Sequence, residues 1–330
     1  MLSYWERTSL THFDVIVIGS GITGLSTAIS LKEKEPNLSL AVFERGVLPT
    51  GASTRNAGFA CIGSAGEISD DLQQSTANDV LQLVAMRLQG LQMLRKRLGD
   101  GNIRYHENGS YELIAEHELD VLDKVDSIND LLKPVTGKGT FEVLSGNRLN
   151  GFSFSKQHTK AIIQNYCEGE LHTGEMMKHL HQYALQKGVV VFTGAEVESM
   201  EDGTTCTVNV KRNLNNQTVA FHCRKIVLCT NAFTPKFFPQ LDIQPGRGLV
   251  LITKPIANLP FKGIYHFDKG YYYFREIDGR VLFGGGRNED FETENTTDFS
   301  ANHKIYATLM EKLQHIILPT VKFEIDMHWT

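Results

Sequence analysis

The sequence predicts an α/β protein, α+β overall, in which a nucleotide-binding domain of parallel strands is interleaved along the chain with an antiparallel-sheet domain. Three observations carry this. The run Asp14-Val15-Ile16-Val17-Ile18 leads into Gly19, Gly21 and Gly24, and an apolar, helix-compatible segment follows. Apolar runs at 38–43, 189–192 and 225–229 read as further buried strands. Beyond Pro239, short alternating segments joined by turn residues read as an antiparallel sheet. Residues 1–76 and 160–238 are assigned to the nucleotide-binding domain, 77–159 and 239–325 to the second domain, and 326–330 to the start of a return to the first.

Each glycine of the triplet has a physical reason. Gly19 permits the tight turn, Gly21 lets the backbone approach a pyrophosphate, and Gly24 lets helix and strand pack closely. The pyrophosphate would sit over the N-terminus of the helix, where free N–H groups and the dipole favour negative charge. Ser20, Ile22 and Thr23 complete that loop. The strand at 38–43 ends in Glu44, about twenty residues after Gly24, where an acidic residue takes ribose hydroxyls. An ordinary βα turn without ligand is the competing reading. Residues 45–58 form a long loop of small residues able to offer N–H groups and hydroxyls to a ligand, or else a plain surface loop.

Composition excludes several classes. Of 330 residues, 41% are hydrophobic and 22% charged, and a net charge of −5 gives no electrostatic case for nucleic acid or an anionic membrane. No apolar run approaches the roughly 20 residues of a transmembrane helix. Trp5, Glu6 and Arg7 break any early signal-like core. Cys61, Cys167, Cys206, Cys223 and Cys229 are odd in number and widely spaced, which suits free thiols in a cytoplasmic protein and makes the sequons at Asn216 and Asn295 incidental. His179 and His181 would face different sides of a helix, so no metal site is expected there. Oligomeric state is left open, a homo-oligomer included.

Taken in order, residues 1–13 read as an arm. Residues 77–98 show helical periodicity, 102–115 read as a hairpin turning at Asn108-Gly109, and 116–132 read as a helix stopped before Pro134. Short strands are expected at 141–144 and 151–155. A helix is expected at 174–187 with Gly188 as its stop, then a buried strand at 189–192. Residues 205–210 and 218–223 pair around Asn215-Asn216, and a separate strand follows at 225–229. Strands are expected at 249–253, 263–267, 271–276 and 280–284, the last two joined at Asp278-Gly279, then a helix at 301–317 and a strand starting at 321–325.

With these residues laid out, the chain resembles the FAD-dependent D-amino-acid oxidase superfamily, and within it the glycine oxidase and γ-glutamylputrescine oxidase branch. The resemblance rests on the arm Ser3-Tyr4-Trp5-Glu6, on Gly51-Ala52-Ser53-Thr54-Arg55-Asn56-Ala57-Gly58, and on Leu228-Cys229-Thr230-Asn231-Ala232. It rests also on Tyr271-Tyr272-Tyr273-Phe274-Arg275 with the hairpin arm Asp278 to Gly286. It implies a Rossmann-like FAD-binding domain and an antiparallel substrate domain. It places the ADP of FAD on Gly19 to Gly24, Glu44 and Arg45. The flavin comes near Ser53, Thr54, Arg55, Asn56, Ala57 and Gly58. Val197 approaches the adenine through its backbone, and Thr230, Asn231 and Ala232 pass beside the pyrophosphate. In the family a tail follows the W-x-G element; this sequence ends at His328-Trp329-Thr330, so the last part of the FAD domain is expected to be missing from it.

Alternation over 271–275 puts Tyr271, Tyr273 and Arg275 on one face and Tyr272 and Phe274 on the other. A guanidinium among aromatics can clamp a carboxylate, the role the resemblance implies for Arg275; a surface ion pair is the alternative. Arg247 is a second pocket candidate, or an exposed turn residue. His266 reads as structural. The implied reaction is oxidation of the C–N bond of an amino acid or amine by hydride transfer to flavin N5. The imine formed then hydrolyses, and oxygen or another acceptor reoxidises the flavin. The alternatives are a non-catalytic FAD-binding protein and, disfavoured by the 51–58 segment, a nicotinamide-dependent dehydrogenase.

Overall fold

A computed structural model of the chain describes residues 2–146, 148, 151–212 and 217–330. These form two compact units, the chain up to Asn56 with Thr173–Pro245, and Ala57–His172 with Gly246–Thr330. The strands in chain order are β1 (His12–Ile18), β2 (Leu40–Phe43), β3 (Phe59–Ala60), β4 (Ser110–Ile114), β5 (Phe141–Val143), β6 (Ala161–Asn165), β7 (Gly169–Glu170) and β8 (Val190–Phe192). Then come β9 (Val197–Glu201), β10 (Cys206–Arg212), β11 (Gln217–Leu228), β12 (Leu249–Thr253), β13 (Ile264–Phe267), β14 (Tyr272–Ile277), β15 (Arg280–Gly285) and β16 (Ile325–Trp329). The mixed α/β class with a parallel Rossmann-like sheet and a largely antiparallel second sheet is as expected.

The first unit holds a six-stranded sheet in the order β8-β2-β1-β11-β10-β9. Strands β8, β2, β1 and β11 are parallel, β10 runs antiparallel to β11, and β9 antiparallel to β10. Ile18 lies beside both Phe43 and Leu228, so three strands end in register. The helix Ile22–Lys34 buries Gly24, Leu25, Ala28 and Ile29, and packs beside the helix Thr173–Gln186. Any side chain at Gly24 would strike the Gly19 carbonyl oxygen, so only glycine lets helix and strand approach this closely.

The second unit is built on an eight-stranded sheet in the order β16-β12-β15-β14-β13-β4-β6-β5, antiparallel except where β13 meets β4. Alternation along β14 holds. Tyr272 and Phe274 are fully buried with Phe267 and Phe283, and with Ile305 and Leu309 of the helix His303–Lys312. Each such aromatic contributes about 1.5–3 kcal/mol through burial. Tyr273 faces the other way, against Ala57, Phe59 and Leu282. A two-stranded antiparallel ribbon, β3 with β7, runs over this side.

The expected boundaries at 76, 159 and 238 differ from the observed passages after 56, 172 and 245. The reason is packing: Ile62, Ala65 and Ile68 belong to a core with Val80, Val84, Ile114 and Ile163. The N-terminal arm contains a helix, Tyr4–Ser9, closed by a capping box between Ser3 and Glu6. The 45–58 loop contains a one-turn helix, Ala52–Arg55. Asn108-Gly109 does not close a hairpin. The preceding residues turn through Asp100–Ile103, and β4 pairs with β13 and β6 instead. Residues 116–132 are two elements, a tight helical stretch Glu116–Lys124 and a helix Val125–Thr136. Pro134 sits inside the latter because it is exposed near the end, where water can satisfy the carbonyl it leaves unpaired. Residues 151–155 form no strand. There Phe152 and Phe154 stack on each other and Ser155 N–H donates to the Ile316 carbonyl. Strand β8 is an edge strand with Val190 exposed, rather than a buried one. Strand β11 runs unbroken to Leu228, pairing first with β10 and then with β1, so no separate strand begins at 225. Its turn with β10 lies outside the described residues. The last strand begins at Ile325, not at 321.

Candidate functional site

In the first unit the predicted residues gather at the carboxyl ends of β1, β2 and β11, beside the point where the chain order reverses. Gly19 turns the chain at φ 107°, and its N–H donates to the Phe43 carbonyl at 2.8 Å. Ser20 is buried and donates to Glu44 Oε2 from its N–H at 3.2 Å and its hydroxyl at 2.7 Å. Gly46 N–H donates to Glu44 Oε1 at 3.0 Å. Glu44 is thus fixed by three donors, yet a carboxylate has about four lone-pair sites, so it can still accept from hydroxyls. Ser53, in the helix Ala52–Arg55, accepts the Ile22 N–H at 2.9 Å and so tethers that short helix to the glycine turn. The N–H groups of Thr23 and Gly24 have no protein partner among the described residues, as an anion cradle requires.

Around this edge, the Arg45 guanidinium stacks on Phe233 at 3.7 Å. Phe233 was not singled out in the sequence; its place in the turn just after Asn231 is the only signal for it. Thr230 bonds the Thr234 hydroxyl at 2.9 Å, and Asn231 adopts φ 46° at the start of a helical turn that includes Ala232. Thr54 donates to the Pro49 carbonyl, Arg55 to that of Thr50, and Asn56 to those of Ala52 and Ser53. Thr173 donates to Asn56 Oδ1. Val197 is buried at the start of β9, beside Phe43 and Ile18 in one core.

In the second unit Ala57 and Gly58 are held by Arg275. Its Nη1 donates to the carbonyls of Ala57 (3.2 Å), Gly58 (3.1 Å) and Leu171 (2.8 Å), and its Nη2 pairs with Glu170 at 3.2 Å. Both partners are buried. Burial lowers the Arg275 pKa and raises that of Glu170, and their mutual attraction opposes both shifts. Arg275 is therefore neither a surface ion-pair residue nor free toward solvent. Arg247 is likewise buried, not an exposed turn residue. It makes a bidentate pair with Glu294 at 2.7 and 3.0 Å, which holds its pKa up. Tyr273 shares the face of Arg275, and burial pushes its phenol up to about 12. Tyr271 is exposed, with its ring 6.1 Å from that of Phe291. Sequence reasoning missed Glu170 and Glu294. The i, i+2 spacing of Glu168 and Glu170 was the one available signal, since it puts two carboxylates on one face of a strand.

Among the described residues no helix is long and apolar enough to cross a membrane. A family model described as "DAO: FAD dependent oxidoreductase" matches residues 14–330. A probable oxidoreductase, OrdL, of Haemophilus influenzae is 23% identical over 98% of this chain and 73% of its own. Mitochondrial L-2-hydroxyglutarate dehydrogenase of Bos taurus is 23% identical over 90% and 66%. The gamma-glutamylputrescine oxidoreductase of Escherichia coli K12 is 25% identical over 83% and 64%. The chain thus spans about two thirds to three quarters of these relatives' length. Among solved structures, glycine oxidase from Geobacillus kaustophilus superposes with a TM-score of 0.74 at 18% identity, over 97% of this chain and 82% of that one. The FAD-bound L-alpha-glycerophosphate oxidase of Mycoplasma pneumoniae gives 0.68 at 16%, over 97% and 82%. FAD is the cofactor these matches support, and the open N–H groups at the glycine turn and the anchored Glu44 carboxylate fit its ADP half. The chain belongs to the DAO family of FAD-dependent oxidoreductases.

Proposed function

We propose that the protein oxidises the C–N bond of an amino acid or amine. The observation that carries this is the convergence of the glycine turn, Glu44 and the Ser53 segment on one sheet edge, in a chain that matches the family over residues 14–330. Relatives named gamma-glutamylputrescine oxidoreductase and glycine oxidase favour nitrogen substrates. FAD, when bound, supplies the hydride acceptor. Gly19 to Gly24 hold its pyrophosphate, Glu44 its ribose, and Thr230 to Ala232 flank the phosphates. Arg45 and Val197 border the adenosine, and Ser53 to Gly58 border the flavin. Within the second unit Arg275 acts by positioning: it pins the carbonyls of Ala57 and Gly58. To clamp a substrate carboxylate it would have to leave Glu170. Tyr273 and Tyr271 are assigned to the substrate side, and Arg247 supports the turn that enters β12.

A second reading, oxidation of a C–OH bond, is favoured by the relatives named L-2-hydroxyglutarate dehydrogenase in cattle and human. An anaerobic screen of the full-length protein loaded with FAD separates the two. Glycine, sarcosine, D-amino acids and polyamine derivatives should bleach the flavin band and 2-hydroxy acids should not. Bleaching by hydroxy acids alone supports the second reading. Bound FAD that neither class reduces marks a non-catalytic flavoprotein, and failure to bind FAD removes the proposal.

A further inference from the structure

The ribbon of β3 and β7 carries two carboxylates on one side, and among the described residues only one of them, Glu170, forms an ion pair. Phe59 pairs with Glu170 and Ala60 with Gly169, so the same register brings Cys61 opposite Glu168. Residues two apart share a face, so Phe59, Cys61, Glu168 and Glu170 belong to one side of the ribbon. Phe59 packs edge-on against His266, 5.3 Å between ring centres, and Glu170 meets Arg275. The remaining pair meets His266 of β13. Cys61 Sγ lies 3.8 Å from His266 Nε2, and donor atoms of Cys61, Glu168 and His266 all lie within 4.8 Å of one another.

Glu168 is fully buried. Its Oε1 accepts the N–H groups of Ile62 (2.6 Å) and Gly63 (2.9 Å), and its Oε2 is buried and, among the described residues, meets only the weak donor of the Cys61 thiol. A buried carboxylate oxygen without a hydrogen-bond partner costs about 1–3 kcal/mol, more if charged. Glu170 Oε2 lacks a hydrogen bond but faces the Arg275 guanidinium at 3.2 Å, a compensating charge with which Glu168 forms no ion pair among the described residues.

We propose that Cys61, Glu168 and His266 bind a divalent transition-metal ion of the zinc type. Thiolate, imidazole and carboxylate are the ligands such an ion takes. Zn–S near 2.3 Å and Zn–N near 2.05 Å at a tetrahedral angle put sulfur and nitrogen about 3.6 Å apart, close to the spacing found. One thiolate and one carboxylate neutralise the ion. The two backbone bonds to Oε1 hold Glu168 in place, as outer-shell partners of metal ligands do. Cys61 is only partly buried, which leaves the ion an approach from solvent. Without metal, burial and the Glu168 charge keep the thiol protonated. Binding forms the Zn–S bond as the S–H proton leaves to solvent, and the imidazole binds through its Nε2 lone pair.

The test needs no flavin chemistry and is independent of the proposed oxidation. Untagged full-length protein is dialysed against buffered Zn²⁺, and metal is counted by mass spectrometry. Wild type should retain one zinc per chain, and Cys61→Ser and His266→Gln should bind at least about tenfold more weakly. On wild type alone, Zn²⁺ should slow alkylation of Cys61 at least about tenfold, leaving Cys206 and Cys223 unchanged. Equal zinc in wild type and variants, or a Cys61 alkylation rate indifferent to Zn²⁺, overturns the site.

Discussion

The carboxyl edge of the six-stranded sheet and the ribbon-facing side of the eight-stranded sheet present their marked residues in opposite ways. At the first, the groups pointed toward a ligand are backbone N–H groups and one carboxylate held in place by neighbours. At the second, the marked cations are turned inward: Arg275 is taken by Glu170 and three carbonyls, and Arg247 by Glu294. On the first surface the marked backbone N–H groups stay open, and on the second the marked cations are taken up by buried partners of the same chain. Backbone placement does the work in one, and ion pairing buried from solvent does it in the other.

The largest test of this contrast is Gly24→Val. A side chain there meets the Gly19 carbonyl, which cannot move without breaking the turn. The variant should fail to accumulate as folded protein, judged by near-UV dichroism and urea unfolding. Next is Arg275→Met. Removing one partner of a buried ion pair costs about 3–5 kcal/mol, so the urea midpoint should fall sharply. If stability holds and only the KM for carboxylated substrates rises, Arg275 is a clamp after all and the contrast breaks.

A third test uses pH. Glu112 on β4 is fully enclosed, and burial pushes its carboxyl up to about 7, against the downward pull of its bonds from Gly66 N–H and Ser64. An unfolded glutamate ionises near 4.5. Between these values the folded state keeps a proton that the unfolded state releases. The contribution is thus fully present below about pH 4.5, is lost as pH rises toward 7, and changes no further above it; the total is about 3 kcal/mol. Glu112→Gln should flatten that part of the stability profile in urea titrations from pH 4.5 to 7.5. The smallest effect is expected for Glu44→Gln. It keeps one acceptor oxygen but loses the charge, and should weaken FAD about tenfold by fluorescence titration.

The same contrast explains what could be read from the sequence. Gly19, Gly21, Gly24 and Glu44 obey a spacing set by backbone geometry, so the turn and its anchored carboxylate were legible, as were β14, β15 and their turn at Asp278-Gly279. Asn108-Gly109 misled because a turn signal is local, while the pairing of β4 with β13 and β6 spans long stretches of chain. Pro134 misled because its cost depends on exposure, which linear order does not show. The partners of Arg275 and Arg247 lie far away in sequence, and no pattern of types announces which carboxylate meets which cation.

In the proposed site FAD is held at the carboxyl edge by close backbone approach at Gly21. A Cβ there would sit 2.8 Å from Ser53 Oγ, a side-chain end that can rotate away at the cost of its bond from the Ile22 N–H, so Gly21→Val should fold while blocking the approach. Equilibrium FAD titration of wild type and Gly21→Val, with thermal unfolding as the folding control, tests this directly. Wild type should bind one FAD per chain, and a folded Gly21→Val should bind it at least about a hundredfold more weakly, about 2.7 kcal/mol. Equal affinity in the two folded proteins would contradict it.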